Sequence, residues 1–595
     1  MFSQTINIPQ KVRLAKSYEA VKEYEKALEI FKELNKINPK DYTFVDGVKR
    51  NLRVMERYDE LTSFLENVLK YFVNNQNILG DLSRVYYQIG KFDKAKETWQ
   101  RILNIDPGKQ FYYTFVADIQ FKLRLVDDAI ETLLAARKNT GNNFTIANNL
   151  ATFYRWRRDF KHAAEEYIGL YFLRKNYYGT VLGTIMSFPD DSVTYAQVTE
   201  VIGNAIKKNE DINLYRIMYN YQIKSKNYEQ AFNTCMEIDS LGNRKGLEIL
   251  NFSRSAFLQN ALVEAENGFN YLVNNYTNFA SSGEVAFYLA YTKEKMIELN
   301  GVNESDSLKY VNYINVINKY EKISRDFKGQ NWQIEALFRA GEILFNVFFD
   351  LDKAIKAYTE ATMSPLKTYR TYEASIRIGD CLLAKGHLAA AQKIFENNTL
   401  IDPKKYGKIK NTALFKSAKV DYYKGELQNT LDKIDAIINS NPLDRDLIND
   451  CLELKMLISD NLENYKNALL IYAGAERLIL QKNYGEALTY LDQIIVNFKN
   501  TELAGNSLFL MAQISEKIAK YEDSAEYLKQ LINGFSENRY FEDAYKMLGR
   551  IYSENLDNKD EAVKIYENFI INHPNSMNVD YIRKQIRELE KKTEG

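Results

Sequence analysis

Cysteine, histidine and tryptophan are almost missing from this sequence: 3 of each in 595 residues. Cys235, Cys381 and Cys451 stand too far apart for a disulfide framework or for zinc-ligand spacing. His162, His387 and His573 are equally scattered, which leaves a histidine-based triad to chance convergence of distant segments. Net charge is absent too, since 79 Lys and Arg balance 79 Asp and Glu. That balance argues against gripping nucleic acid or a membrane by bulk charge. No run reaches the roughly 18–20 apolar residues that a membrane helix needs. The start, Met1-Phe2-Ser3-Gln4, shows neither the basic segment nor the apolar stretch of a signal peptide, and removal of a signal before Phe2 would leave the same start. Phosphate loops, dinucleotide fingerprints, zinc-protease helices and nucleophile elbows are not found. Asp350-Leu351-Asp352 begins like a calcium loop but lacks the glycine and the later carboxylate. The expectation is a non-enzyme without cofactor or metal. Short glycosylation patterns at Asn143, Asn251, Asn303 and Asn397 are common by chance.

What the chain does have is hydrophobic content, 45%, which excludes a mostly disordered polymer. Its length exceeds one conventional core and would ordinarily mean several domains, unless a repeat array replaces them. One template recurs: a small residue, an aromatic about three later, a second small residue, a large apolar side chain, then proline. It is carried by Ala15, Tyr18, Ala27, Phe31 and Pro39, and again by Ser83, Tyr86, Ala95, Trp99 and Pro107. Gly379, Leu382, Ala391, Phe395 and Pro403 form a third copy. Gly549, Tyr552, Ala562, Tyr566 and Pro574 form another, with one extra residue expected in the turn. Partial copies are Ala151, Tyr154, Ala163, Tyr167 and Ala418, Ile434, Pro442. Apolar residues at three- and four-residue steps predict helices, and small residues on both predict close antiparallel pairing. The aromatic is expected to fill space against the next pair, the proline to end the second helix, and Gly90, Gly386 and Gly425 to turn the chain between helices.

These residues resemble the tetratricopeptide repeat. The resemblance implies an all-α, right-handed superhelical solenoid of about 13–15 stacked helix pairs, stabilised by nearest neighbours. Residues 1–175 read as an N-terminal array, 176–330 as divergent helical repeats, 331–443 as a second regular array and 444–595 as a C-terminal array. In the divergent part, Pro189-Asp190-Asp191-Ser192 should break one helix and cap the next, and a polar loop runs from Asn300 to Asp306. The last helix should cap the stack with a stripe of Tyr581, Ile582, Ile586 and Leu589. Ala487 to Ile495, Ala512 to Ile514, Tyr521 to Ala525 and Ile570 to Ser576 resemble tetratricopeptide proteins of the bacterial cell envelope. That likeness implies export to the periplasm and peripheral association with an envelope complex, with the cytoplasm as the alternative.

Candidate sites are therefore surfaces. In this family the first helix of each pair lines the concave groove. Arg339, Arg377 and Lys416 occupy one such position, two residues before the first small residue, and read as a basic column. The competing reading is local pairing with Glu342 and Asp380, three residues further along the helix. Residues 404–419 hold six lysines (404, 405, 408, 410, 416, 419) and no acid. Asn148 and Asn149 resemble the asparagines of the family's peptide-carboxylate clamp, but no neighbouring copy supplies the lysines. Arg155, Trp156, Tyr112 and Tyr113 offer an amphipathic peptide groove, with Phe111, Phe115 and Tyr154 as packing residues. The function expected is a scaffold that binds a protein or peptide, not nucleic acid. The alternative is an obligate structural subunit of a larger envelope complex.

Overall fold

A computed structural model describes residues 7–276, 279, 281–300, 306–440 and 443–591. Expectations placed on Met1–Gln4, on loop residues 301–305 with the Asn303 pattern, and on Pro442 lie outside the described residues. Those described form 32 α-helices and no strand, and within each unit most helices pack on the next in sequence. The chain divides into two compact units, Met1–Tyr276 and Thr277–Gly595.

The first pair shows how sequence becomes structure. Asn7 caps helix Ile8–Ala20 by accepting from the Gln10 N–H at 3.2 Å, and Pro9 falls in the first turn, where its missing N–H costs nothing. Ala15 on this helix and Ala27, Leu28, Phe31 and Leu34 on helix Tyr24–Ile37 are buried together. Between the two helices Lys22 adopts a left-handed conformation, φ 62°. The Glu23 N–H then donates to the Tyr18 carbonyl at 2.9 Å. This closure, a Schellman turn, satisfies carbonyls that the helix end would leave bare.

The same turn recurs through both units. Its left-handed residue is Lys22, Glu56, Gly90, Arg124 and Arg158, each 34 residues after the last, then Lys226 and Asn260. In the second unit it is Gly386, Gly425, Lys482 and Ala519. Each is followed by a backbone bond to the carbonyl five residues back, as from Lys91 to Tyr86 and from Lys520 to Ser515, both 2.8 Å. The three glycines expected here do take positive φ, but most copies use a residue with a side chain.

The small positions have a more specific purpose than helix approach. A Cβ on Gly379 would lie 2.4 Å from Phe395, one on Gly341 2.5 Å from Tyr358, and one on Gly549 2.2 Å from Tyr566. In these copies the aromatic lies down on the small residue of its own pair, rather than facing only the next pair. Phe31 does reach the next pair, where Gly47 makes room for it. The extra residue of the last copy is not in the turn. It is absorbed by a π-helical stretch, Ile551–Asn555, at the end of the first helix, and Leu344–Phe348 repeats the device.

Two local expectations are sharpened. Asp191, not Ser192, caps the helix after Pro189, accepting from the Thr194 N–H at 3.0 Å. On the last helix, Val579–Lys591, Val579 and Ile582 are buried while Tyr581 is 49% exposed, because the buried face runs from Val579 through Ile582 to Ile586. The change of register after residue 443 also acquires a cause. Helix Arg445–Asn461 is inserted between pair Pro403–Lys424/Leu427–Asn439 and pair Lys466–Leu480/Tyr484–Asn497, and first helices Pro403–Lys424 and Lys466–Leu480 still pack together.

Candidate functional site

The expected basic column exists as a ladder of ion pairs, each reaching back to the preceding first helix. Arg339 pairs with Glu294, a residue 1% exposed that also accepts from the Tyr320 hydroxyl at 2.6 Å. Arg377 donates to Glu342 at 2.6 and 2.8 Å and to Asp380 at 3.1 Å. Lys416 reaches Asp380 at 2.8 Å. Each arginine also lies over a ring of the neighbouring first helix: Arg339 on Tyr291 at 4.8 Å and Arg377 on Phe345 at 4.9 Å. Burial alone would raise the Glu342 carboxyl, but the Arg377 guanidinium bonded to it holds it below its ordinary value. The column is thus largely spent on neighbouring carboxylates.

The lysine run after residue 404 is dispersed in the same way. Lys405 lies over Tyr406 at 5.1 Å, Lys408 meets Asp444 at 3.1 Å, and Lys419 stands 3.8 Å from Glu476. The acids come from other helices, so a count within the run misses them.

In the first unit the candidate residues separate. Asn148 is half-buried and its side-chain oxygen accepts from the Tyr177 hydroxyl at 3.5 Å; Asn149 is half-buried beside it. Arg155 is exposed, and Trp156 is 60% exposed, standing edge-on to Phe121, which stacks on Phe153 at 4.2 Å. The neighbouring helix Gln110–Lys122 is rotated from the expected setting. Tyr113 points inward with Val116, Ala117 and Gln120 and accepts from Asn139 at 2.7 Å, whereas Phe111 is exposed. Tyr113 is therefore a packing residue and Phe111 a surface one.

A cleft of about 400 Å³ opens in the second unit, beside the ladder and against helices Lys466–Leu480 and Glu502–Lys517. Its wall is mainly apolar: Leu383, Ala384, Phe415, Ile479, Leu480 and Leu510, with Arg377, Asp380 and Lys416 at its side. An adjoining lobe of about 260 Å³ shares Phe415, Lys419 and Glu476. It is lined further by Asp450 and Glu453 of the inserted helix, by Tyr472 and by Arg539. Arg539 bonds Glu453 at 2.8 Å and lies over Tyr540, which stacks on Phe509 at 4.5 Å. Burial, together with the charges of Glu453, Asp446 and Asp444, raises the Asp450 carboxyl despite nearby Lys419.

Arg377 and Lys416 among the sequence candidates reach this cleft; Glu476, Phe415, Tyr472 and Asp450 were not among them. A signal for part of it was present. The residue directly after the first small position is charged in four copies: Glu342, Asp380, Lys419 and Glu476. Among the described residues no group of three or more His, Cys, Asp and Glu is placed to hold a metal, and no helix is long and apolar enough to cross a membrane.

The arrangement defines a class, an all-α array of antiparallel helix pairs whose first helices share a face. Family models described as "Tetratricopeptide repeat" match two of its segments, residues 11–41 and 543–576. No curated protein matches the chain. Among solved structures it is similar to a chain of the Naa15/Naa10 complex bound to HypK-THB (11% identity, 94% of this chain and 99% of that one, TM-score 0.24). It is similar to a tetratricopeptide repeat protein from Parabacteroides merdae (12% identity, 51% and 99%, TM-score 0.29). A third likeness is to a chain of the APC/C hetero-tetramer Cut9–Hcn1 (12% identity, 92% and 96%, TM-score 0.24).

Proposed function

We propose that the protein is a non-enzymatic scaffold that holds an extended peptide or a partner's helix against the first helices of its second unit. The observation that carries this reading is the cleft beside the inserted helix. First helices of the second unit and one helix outside the repeat bring an apolar wall, several charged side chains and the unsatisfied Glu476 Oε2 to one place. Apolar anchoring beside a few fixed polar groups is how peptide grooves gain affinity and orientation. The ladder of Arg339, Arg377 and Lys416 stiffens the face, and the patch around Arg155 and Trp156 is a second contact surface on the first unit. The cell envelope is the setting we propose, on the likeness of residues 487–576 to envelope repeat proteins; recovery wholly in the cytoplasmic fraction would overturn that part.

The groove itself is tested by placing a photo-crosslinking amino acid at Leu480 in the full-length chain and mapping crosslinks in its own cells. A discrete partner whose crosslink is lost in a Phe415→Asp background is expected. Crosslinks of equal yield with and without Phe415→Asp would remove the cleft as the binding site.

A further inference from the structure

The polar lobe of the cleft is one positive charge short. It gathers three carboxylates, Asp450, Glu453 and Glu476, against two cations, Lys419 and Arg539. Arg539 is committed to Glu453 at 2.8 Å. Lys419 stands between Glu476, at 3.8 Å, and Asp450, and satisfies neither closely. Asp450 has no ion-pair partner among the described residues.

Hydrogen bonding points the same way, independently of charge. Glu476 Oε2 is buried and accepts no bond. The buried Tyr422 hydroxyl is the donor directed at this carboxylate, but the two fall short of normal hydrogen-bond geometry. Tyr472, only 3% exposed, lines the lobe. A buried carboxylate oxygen without a donor is costly, so the lobe wants a donor, preferably a charged one.

We infer that this lobe receives an arginine side chain of a bound peptide, while an apolar side chain adjacent in that peptide fills the neighbouring Leu383–Leu480–Leu510 wall. Guanidinium suits the site better than ammonium. It brings five N–H donors in one plane, enough to reach the Glu476 carboxylate, a tyrosine hydroxyl and Asp450 together, and its flat face can lie on Phe415. Lys419 then turns its single charge wholly to the remaining carboxylate. The inference rests on the scaffold reading above and adds the chemistry of the ligand: basic plus apolar, rather than a terminal carboxylate.

The test is selection of a random linear nonapeptide phage library against the full-length protein, with counter-selection against its Phe415→Asp variant. Peptides enriched in arginine beside Leu, Ile, Phe or Met are expected. A synthetic enriched peptide should lose about tenfold in affinity when its arginine is replaced by the neutral isostere citrulline. The same loss is expected with Asp450→Asn, a surface change that leaves packing intact, and with Glu476→Gln, checked for a native melting curve. Cleft-dependent peptides that are acidic or uncharged, or that bind equally well with citrulline, would overturn the arginine inference while leaving the scaffold reading standing. Selection that yields no peptide sensitive to Phe415→Asp would overturn both.

Discussion

Glu342 condenses the logic of the ladder into one side chain. It accepts two bonds from Arg377 of the next first helix and one from the Tyr358 hydroxyl at 2.5 Å. Its folded-state carboxyl lies below the ordinary value of 4.5. A depressed carboxyl contributes stability that is complete above the unfolded value and disappears as pH falls through the folded one. The loss therefore falls below about pH 4.5, on the acid side. Glu342→Gln removes the charge and leaves the half-buried Arg377 guanidinium with Asp380 alone, a carboxylate it shares with Lys416, at a cost of about 2–3 kcal/mol at neutral pH. Chemical denaturation from pH 7 to pH 3 should show the variant less stable at pH 7 and with a shallower acid limb. Parallel curves, offset by a constant, would show that the pair does not titrate as described. From sequence, Arg377 was placed opposite Asp380 in its own helix, and that bond is present. Glu342, 35 residues earlier, was assigned to Arg339 by the same local rule, because spacing within one helix says nothing of what the next helix brings alongside.

At the scale of the helix pair, the sequence was most legible where size alone decides. Small residues opposite aromatics identify the pairs because a Cβ at Gly341, Gly379 or Gly549 would occupy the ring's place. Turn positions were legible only where glycine marks them, at Gly90, Gly386 and Gly425. Elsewhere a lysine, glutamate, arginine, asparagine or alanine is held left-handed by the Schellman bonds, so composition conceals the turns, and with them the 34-residue rhythm of the first unit. That disguise carries strain. A residue with a Cβ pays about 1–2 kcal/mol in this conformation, while glycine pays roughly 0.5–1 kcal/mol in lost freedom on folding. Ala519 is exposed, φ 56°, and has no side-chain bond to lose. Ala519→Gly is therefore expected to stabilise by about 0.5–1 kcal/mol, and Gly90→Ala to destabilise by a similar amount, both read as shifts in denaturation midpoint. The inserted helix Arg445–Asn461 was legible only as a lapse in register, since its sequence is amphipathic like its neighbours, and with it the cleft stayed hidden.

For the molecule as a whole, the decisive feature is that its buried clusters are local in sequence. In the first unit one cluster runs from Ala15 to Ile119 and the next from Tyr113 to Tyr221. In the second they run from Phe287 to Cys381, from Ile376 to Ile514 and from Leu508 to Ile582. Neighbouring clusters share a helix at each junction, as helix Tyr369–Ala384 supplies Cys381 to one and Ile376 to the other. Stability is then a sum of pair and nearest-neighbour terms, and damage should spread only as far as the next interface. Phe395 is the place to ask, being fully buried against Gly379 in the longest of these clusters. Phe395→Ala removes a ring that nothing nearby can replace, and should cost about 3–5 kcal/mol in the pairs that hold it. Amide hydrogen exchange should accelerate across helices Tyr369–Ala384 and Leu388–Thr399 and in the pairs on either side. Helices Phe541–Arg550 and Lys559–Asn572, in the same unit but a cluster away, should exchange as in the parent chain. Uniform acceleration from residue 331 to residue 591 would mean that the second unit unfolds as one cooperative body, and the nearest-neighbour account of this fold would have to be given up.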